Sequence, residues 1–255
     1  MIYALANQKG GVGKTTTAIN LAATLAQAGE QVLLVDIDPQ ANATTGLGAR
    51  PADGERTMFE VLLGEVPIAA IVRGTPVPNL TLAPSSRELA GLSVLLPKLA
   101  QREWRLKDSL RRATSVTGAA YDFVLVDCPP SLGLLTVNGL VAADEVIIPV
   151  QTEYFALEGL AQLLETIDAV RGGLNPALRV AGLVLTMSDG RTNLAREVEA
   201  EVRAHFPELT YRTVIPRNVR LAEAPSHGLP VSMLDPRCPG SDAYFDLAME
   251  VVERA

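Results

Sequence analysis

Cysteine is scarce in this chain: Cys128 and Cys238 are the only two among 255 residues. Two are too few for a disulfide framework, and neither belongs to a CxxC pair, so no structural metal site is expected. Long apolar runs are missing as well, and no stretch reaches membrane-span length. Positive charge is not in excess. The formal net charge is −7, which argues against general affinity for nucleic acid and leaves room only for a local basic patch. There are no internal repeats, no low-complexity tract and no linker, so one domain over residues 1–255 is expected. Residues 1–6 run straight into a glycine-rich loop. A cleaved leader would remove the strand that carries it, so a cytoplasmic location is expected.

What is present is apolar and regularly patterned. Hydrophobic residues make up 48% and charged residues 20%, enough for a sizeable core and too apolar for disorder. Strands are expected at Ile2–Ala6, Gln31–Asp36, Leu80–Ala83, Phe123–Asp127, Glu145–Val150, Ala181–Thr186 and Tyr211–Ile215. Several are continuous apolar runs, which suit strands buried on both faces of a parallel sheet. Helical patterns fall between them at Thr16–Ala28, Arg87–Leu96, Lys98–Ala113, Leu134–Ala142, Leu157–Arg171 and Asn193–His205. The alternation predicts an α/β fold, a doubly wound and mostly parallel sheet flanked by helices. Residues 49–79 read as an irregular excursion with a short helix near Met58–Leu63.

The densest chemistry is Lys9-Gly10-Gly11-Val12-Gly13-Lys14-Thr15-Thr16, placed between the first strand and a helix. Glycines let consecutive N–H groups turn toward one anion, and the helix N-terminus adds partial positive charge. Lys14 offers a point charge for outer phosphates, and the Thr15 hydroxyl suits Mg²⁺. The common phosphate-loop pattern wants glycine where Gln8 stands, so this is a variant, with an extra lysine at position 9. A nucleotide-binding site is expected here.

Two acids complete the expected site. Asp38 follows the second strand and precedes Pro39, which biases it toward an extended conformation on the ligand side of an open sheet. Its expected role is to orient the attacking water or a metal-bound water; the alternative is a turn aspartate. Asp127 ends an apolar strand, as an aspartate that holds Mg²⁺ does in phosphoryl-transfer sites. Cys128 beside it reads as a small buried side chain. Pro216 and Asn218 follow the last strand and, on composition alone, fit turn chemistry equally well.

The variant loop resembles the deviant Walker A loop of the ParA/MinD ATPases. Further segments are similar to the ParA/Soj-type chromosome-partitioning ATPases: Leu34 to Asn42, Asp127 to Gly133, Glu158-Gly159-Leu160, Arg191 to Leu194 and Ile215 to His227. The resemblance extends over nearly the whole chain and is to the short chromosomal type, without an N-terminal helix-turn-helix. It implies an ATPase that hydrolyses ATP to ADP and phosphate with Mg²⁺. It also implies an ATP-dependent homodimer, non-specific DNA binding by that dimer on the nucleoid, and resetting by a ParB-type centromere-binding partner. Pro216 would then pack on the adenine and Asn218 hydrogen-bond its edge. Lys9 would reach the nucleotide of the facing subunit, so that ATP bridges two chains; the plain alternative is a solvated lysine.

Other readings of the same family remain open. A MinD-like membrane-surface ATPase needs a basic amphipathic C-terminal helix. Here residues 241–255 hold two Asp and two Glu against one Arg, so anionic lipid would repel them; they read as a helix docked on the core. Iron proteins of the nitrogenase type need cysteines on two separate loops, which this chain lacks. A small-molecule ligase of this fold is a further alternative. For DNA, the resemblance favours Arg191, Arg217 and Arg220. The run Lys98–Arg112, with six bases against two acids, comes next and otherwise reads as solvated surface.

Overall fold

The computed structural model describes residues 1–117, 121–153 and 156–254; Ala255, the end of the expected docked helix, lies outside them. Strands β1 (Ile2–Leu5), β2 (Val32–Asp36), β3 (Arg73–Gly74), β4 (Leu80–Ala83), β5 (Phe123–Asp127), β6 (Glu145–Gln151), β7 (Arg179–Ser188) and β8 (Thr210–Pro216) form one sheet in the order β3-β4-β2-β5-β1-β6-β7-β8. Every pairing is parallel except β3 with β4. The helices are α1 (Lys14–Gln27), α2 (Asn42–Gly46), α3 (Met58–Leu63), α4 (Leu92–Leu95), α5 (Arg105–Thr117), α6 (Leu134–Ala142), α7 (Ala156–Gly173), α8 (Asn193–His205), α9 (Val219–Glu223), α10 (Val231–Leu234) and α11 (Pro239–Arg254). The doubly wound α/β sandwich read from the sequence is the fold observed.

Two apolar cores lie on the two faces of the sheet. One joins Val35, Val126 and Ile148 to α3, α5, α6 and α7 through residues such as Leu62, Leu106, Leu140 and Leu163. The other joins Leu34, Leu125 and Ile147 to α1 and α11. Helix α1 is buried along most of its length, with Ala18, Ala22, Ala23 and Ala26 letting it lie close between the sheet and α11. Each fully buried leucine in these layers contributes about 1.5–3 kcal/mol, and the polar groups that α1 brings inside are paired. Thr17 shares a hydrogen bond with the Tyr244 hydroxyl, and Asn20 accepts from the Val231 N–H.

Two expectations change. The helix read over Lys98–Ala113 begins only at Arg105: Gln101 takes a left-handed φ of 50° and breaks the run. The helix read over Arg87–Leu96 splits into a 3-10 turn at Arg87–Gly91, α4, and a second turn holding Pro97. Short helices α2, α9 and α10 fill stretches without amphipathic periodicity.

β8 is an edge strand whose pairing with β7 slips between Leu183 and Leu185. Side chains take backbone groups there. Glu250 accepts the N–H groups of Arg212 and Thr213, Arg203 donates to the carbonyls of Tyr211 and Arg212, and Arg254 donates to that of Thr210. Burial pushes the Glu250 carboxyl up, but these N–H donors outweigh it and hold it below its ordinary value. Gly182 lies at the same slip: a Cβ there would come within 2.7 Å of the Leu209 carbonyl oxygen and 2.5 Å of the Tyr211 ring. Gly182→Ala is therefore expected to cost about 1–3 kcal/mol and lower the melting temperature by several degrees. Gly172→Ala in α7, where nothing lies within 4 Å, should cause no fall. A thermal melt of the two variants side by side checks the pair.

Candidate active site

Parallel register brings the ends of β1, β2 and β5 to one rim: Leu5 pairs with Asp127, and Asp127 with Asp36. Residues 8–13 leave β1 at this rim and enter α1. Gly11 and Gly13 have φ of 75° and 84°, values that non-glycine residues seldom take. Gly13 is the residue before the first turn of α1, and it lies against Thr186 and Met187 of β7. The loop is pinned from below: the Val12 carbonyl accepts from the Thr186 hydroxyl at 2.8 Å. A cleft of about 250 Å³ opens above it, lined by Gly11, Gly13, Lys14, Thr15, Thr16, Asp38, Gln40, Asn42, Pro130 and Met187. A larger hollow lies nearby, lined by residues such as Gln40, Thr44, Arg50, Thr57 and Ser85, but among the described residues it is not built on a glycine turn at a helix N-terminus.

Most of the loop residues singled out in the sequence meet Asp38 in this cleft. Lys14 is buried, and its ammonium donates to the Lys9 carbonyl at 2.9 Å. Burial lowers its pKa against the opposing pull of Asp127 and Asp38. Asp38 is 5% exposed, and its carboxylate accepts the Gln40 N–H. Gly10 is exposed beside Pro130. Val12 is buried and anchors the loop without lining the cleft.

Asp127 is fully buried, and neither carboxylate oxygen has a hydrogen-bond partner. Burial first, and then the neighbouring Asp36, raise its pKa well above the ordinary value. The nearby Thr15 hydroxyl opposes the rise without reaching hydrogen-bond geometry. A buried acid left unpaired this way is costly, and it fits a cation held between Asp127 and Thr15. Asp36, which the sequence reading passed over, is fully buried and raised to about 6 by burial, against hydrogen bonds from Thr44 and the Asp38 N–H. Ala41 and Met187 also escaped notice; both flank the cleft with a left-handed φ of 52°. Met187 was findable from its place at the end of β7.

Other candidates stand apart. Lys9 pairs with Glu153 of its own chain at 2.9 Å, half exposed. Pro216 pairs in register with Ser188, next to Met187, so it lies at the cleft's far side and does not line it. Asn218 caps α9, its Oδ1 accepting the Arg220 N–H at 2.8 Å, which leaves its amide nitrogen for another partner. Arg191 grips Asp189 through two hydrogen bonds, and Arg220 bridges Glu223 and Asp235. Arg217 is exposed, with no ion pair among the described residues.

The AAA domain family model matches residues 1–180. The chain is 51% identical over 253 residues to the chromosome partitioning protein ParA of Caulobacter vibrioides, covering 99% of this chain and 94% of that protein. It is 52% identical over 250 residues to the sporulation initiation inhibitor protein Soj of Bacillus subtilis, covering 98% and 97%. This chain belongs to the ParA/Soj family of chromosome-partitioning ATPases. Among solved structures, cobyrinic acid a,c-diamide synthase of Mycobacterium smegmatis, with bound ADP and magnesium, superposes with a TM-score of 0.85 at 38% identity, covering 99% of this chain and 94% of that one. The ParA/Soj fold thus carries the glycine loop, Asp38 and Asp127 on one rim. No helix among the described residues is long and apolar enough to cross a membrane.

Asp127→Asn is expected to stabilise the nucleotide-free protein at pH 7.5 by about 1–3 kcal/mol, because it removes a buried, unpaired carboxylate. The folded pKa is raised, so the penalty is full above that raised value. It shrinks as pH falls through it and is gone below the ordinary value of 3.8. Denaturation of wild type and variant across pH should converge toward acid; a gap that widens there would contradict the assignment.

Proposed function

We propose that the chain is an ATP-hydrolysing switch for chromosome segregation, working as one domain over residues 1–255. The observation that carries this reading is the cleft in which Gly11, Gly13, Lys14 and Thr15 face Asp38. In it, the N–H groups of residues 10–16 and the Lys14 ammonium bind the phosphates of ATP. Asp127 and Thr15 would hold Mg²⁺, which when bound offsets phosphate charge. Asp38 orients a water for attack on the terminal phosphorus and draws its proton as the bond to the ADP oxygen breaks. Pro216 packs on the adenine, and the free amide of Asn218 hydrogen-bonds its edge. Lys14→Ala should abolish ATP binding in calorimetry. Asp38→Ala should keep ATP but lose roughly 10²-fold or more in turnover; normal hydrolysis would return Asp38 to a turn residue.

Lys9 makes the switch dimeric in this reading. Its pair with Glu153 is half exposed, and such pairs hold by only about 0–1 kcal/mol. A phosphate of the facing subunit's ATP would therefore capture it. The dimer then binds DNA without sequence preference on the nucleoid, until a ParB-type partner stimulates hydrolysis. Arg191, Arg217 and Arg220 are the proposed contacts. Two of them are held by carboxylates within the chain, so one copy's surface attracts phosphate weakly and pairing two copies doubles it. Lys9→Ala should retain nucleotide yet stay monomeric in light scattering with a non-hydrolysable analogue. Arg191→Ala and Arg220→Ala should weaken DNA binding without affecting dimerisation. In wild type, binding should appear only with the ATP analogue and fall steeply with salt. Equal DNA binding with ADP would sink the switch, and full binding by both arginine variants would move the contact to Lys98–Arg112.

The membrane-surface alternative is disfavoured by charge: α11 exposes Phe245, Met249 and Val252, but Asp242, Asp246 and Glu253 are exposed on the same helix and would be repelled by anionic lipid. A ligase reading has the weaker support: identity to the synthase is 38%, against 51–52% to the partition proteins.

A further inference from the structure

Asp38 sits on a loop between β2 and α2 that takes a left-handed turn at Ala41. Both backbone polar groups of Asp38 are held by one closed set of hydrogen bonds. Its N–H donates to Asp36 Oδ1 at 3.1 Å. Asp36 Oδ2 accepts from both the N–H and the hydroxyl of Thr44, at 2.9 and 2.7 Å. The Thr44 oxygen in turn accepts the Ser85 N–H at 2.9 Å. The Ser85 hydroxyl closes the circuit by donating to the Asp38 carbonyl at 2.6 Å. Asp36, Thr44 and Ser85 are completely buried.

We propose that Asp36, Thr44 and Ser85 are positioning residues for hydrolysis, fixing the Asp38 backbone so that its carboxylate meets the attacking water. This rests on the reading of Asp38 given above. None of the three needs to touch the nucleotide: Asp36, Thr44 and Ser85 do not line the cleft. A network with every member satisfied is stiff; losing the Thr44 hydroxyl strips the Ser85 N–H of its acceptor, and losing the Ser85 hydroxyl leaves the Asp38 carbonyl held by the Ala41 N–H alone. Two of its members come from β2 and α2 and the third from the end of β4, so the sheet itself sets where Asp38 stands. Catalytic groups lose rate when displaced by fractions of an ångström, while binding made elsewhere in the site is kept.

The test uses Thr44→Val, which keeps the shape and removes the hydroxyl, Ser85→Ala, and Thr44→Ser as the rescue that restores the hydroxyl. Steady-state ATP hydrolysis, nucleotide affinity by calorimetry, and amide exchange of the nucleotide-free protein are measured. Thr44→Val and Ser85→Ala should each lower kcat about 10-fold or more, short of the roughly 10²-fold that a 1 Å misplacement costs. KM and nucleotide affinity should stay within about twofold, since the phosphate loop is untouched. Thr44→Ser should hydrolyse as wild type does. The Asp38 amide should exchange faster in Thr44→Val without any nucleotide present. In the Asp38→Ala background the same substitutions should cost nothing further, because their effect passes through that carboxylate. Wild-type kcat in both variants beside a slow Asp38→Ala would overturn this proposal alone, as would an undiminished loss in the Asp38→Ala background. Normal turnover by Asp38→Ala would overturn the reading of Asp38 and this proposal with it.

Discussion

The site depends on one electrostatic arrangement. Asp36 and Asp127 stand opposite each other in the register of β2 and β5, both fully buried, with Asp38 two residues beyond. One buried ammonium, that of Lys14, shares their surroundings. Parallel pairing forces this convergence, since it delivers every strand's carboxyl end to the same rim. The two acids are handled differently. Asp36 is stabilised by three hydrogen bonds, one from the Asp38 N–H and two from Thr44 of α2. Asp127 is left with none. One carboxylate is therefore structural in its contacts, and the other is prepared for a positive partner.

The fold was largely legible because its strands are continuous apolar runs with helix-forming stretches between them. Leu80–Ala83, Phe123–Asp127, Leu134–Ala142 and Asn193–His205 have the expected bounds. What failed had no periodicity to read. Helix α9 is five residues long, and its start is set by the Asn218 side chain. The first turn of α2 is tied to Asp36, six residues before the helix begins. The late start of α5 turns on the left-handed backbone at Gln101, an ordinary residue in a stretch of helix formers.

The glycine loop and Lys14 could be read from local spacing, and Asp38 from its place just past a strand of a parallel sheet, where register brings it to the same cleft. Asp36 could not. Its meaning lies in Ser85, 47 residues from Asp38 in sequence, and only the pairing of β4 with β2 brings the two together. Lys9 could be read as a charge but not as one already engaged by Glu153. The arginines likewise look free in sequence, whereas folding matches Arg191 and Arg220 with acids. Charge counted along a chain overstates what a surface presents.

The bracket around β8 has a consequence for assembly. An edge strand with unsatisfied N–H and carbonyl groups is a template on which a neighbour's strand can add, and repeated addition makes fibres. Glu250, Arg203 and Arg254 occupy those groups between Thr210 and Thr213. Self-association through this margin of the sheet would first have to strip away three anchored side chains. This end of the sheet is therefore a poor template for polymerising with copies of itself.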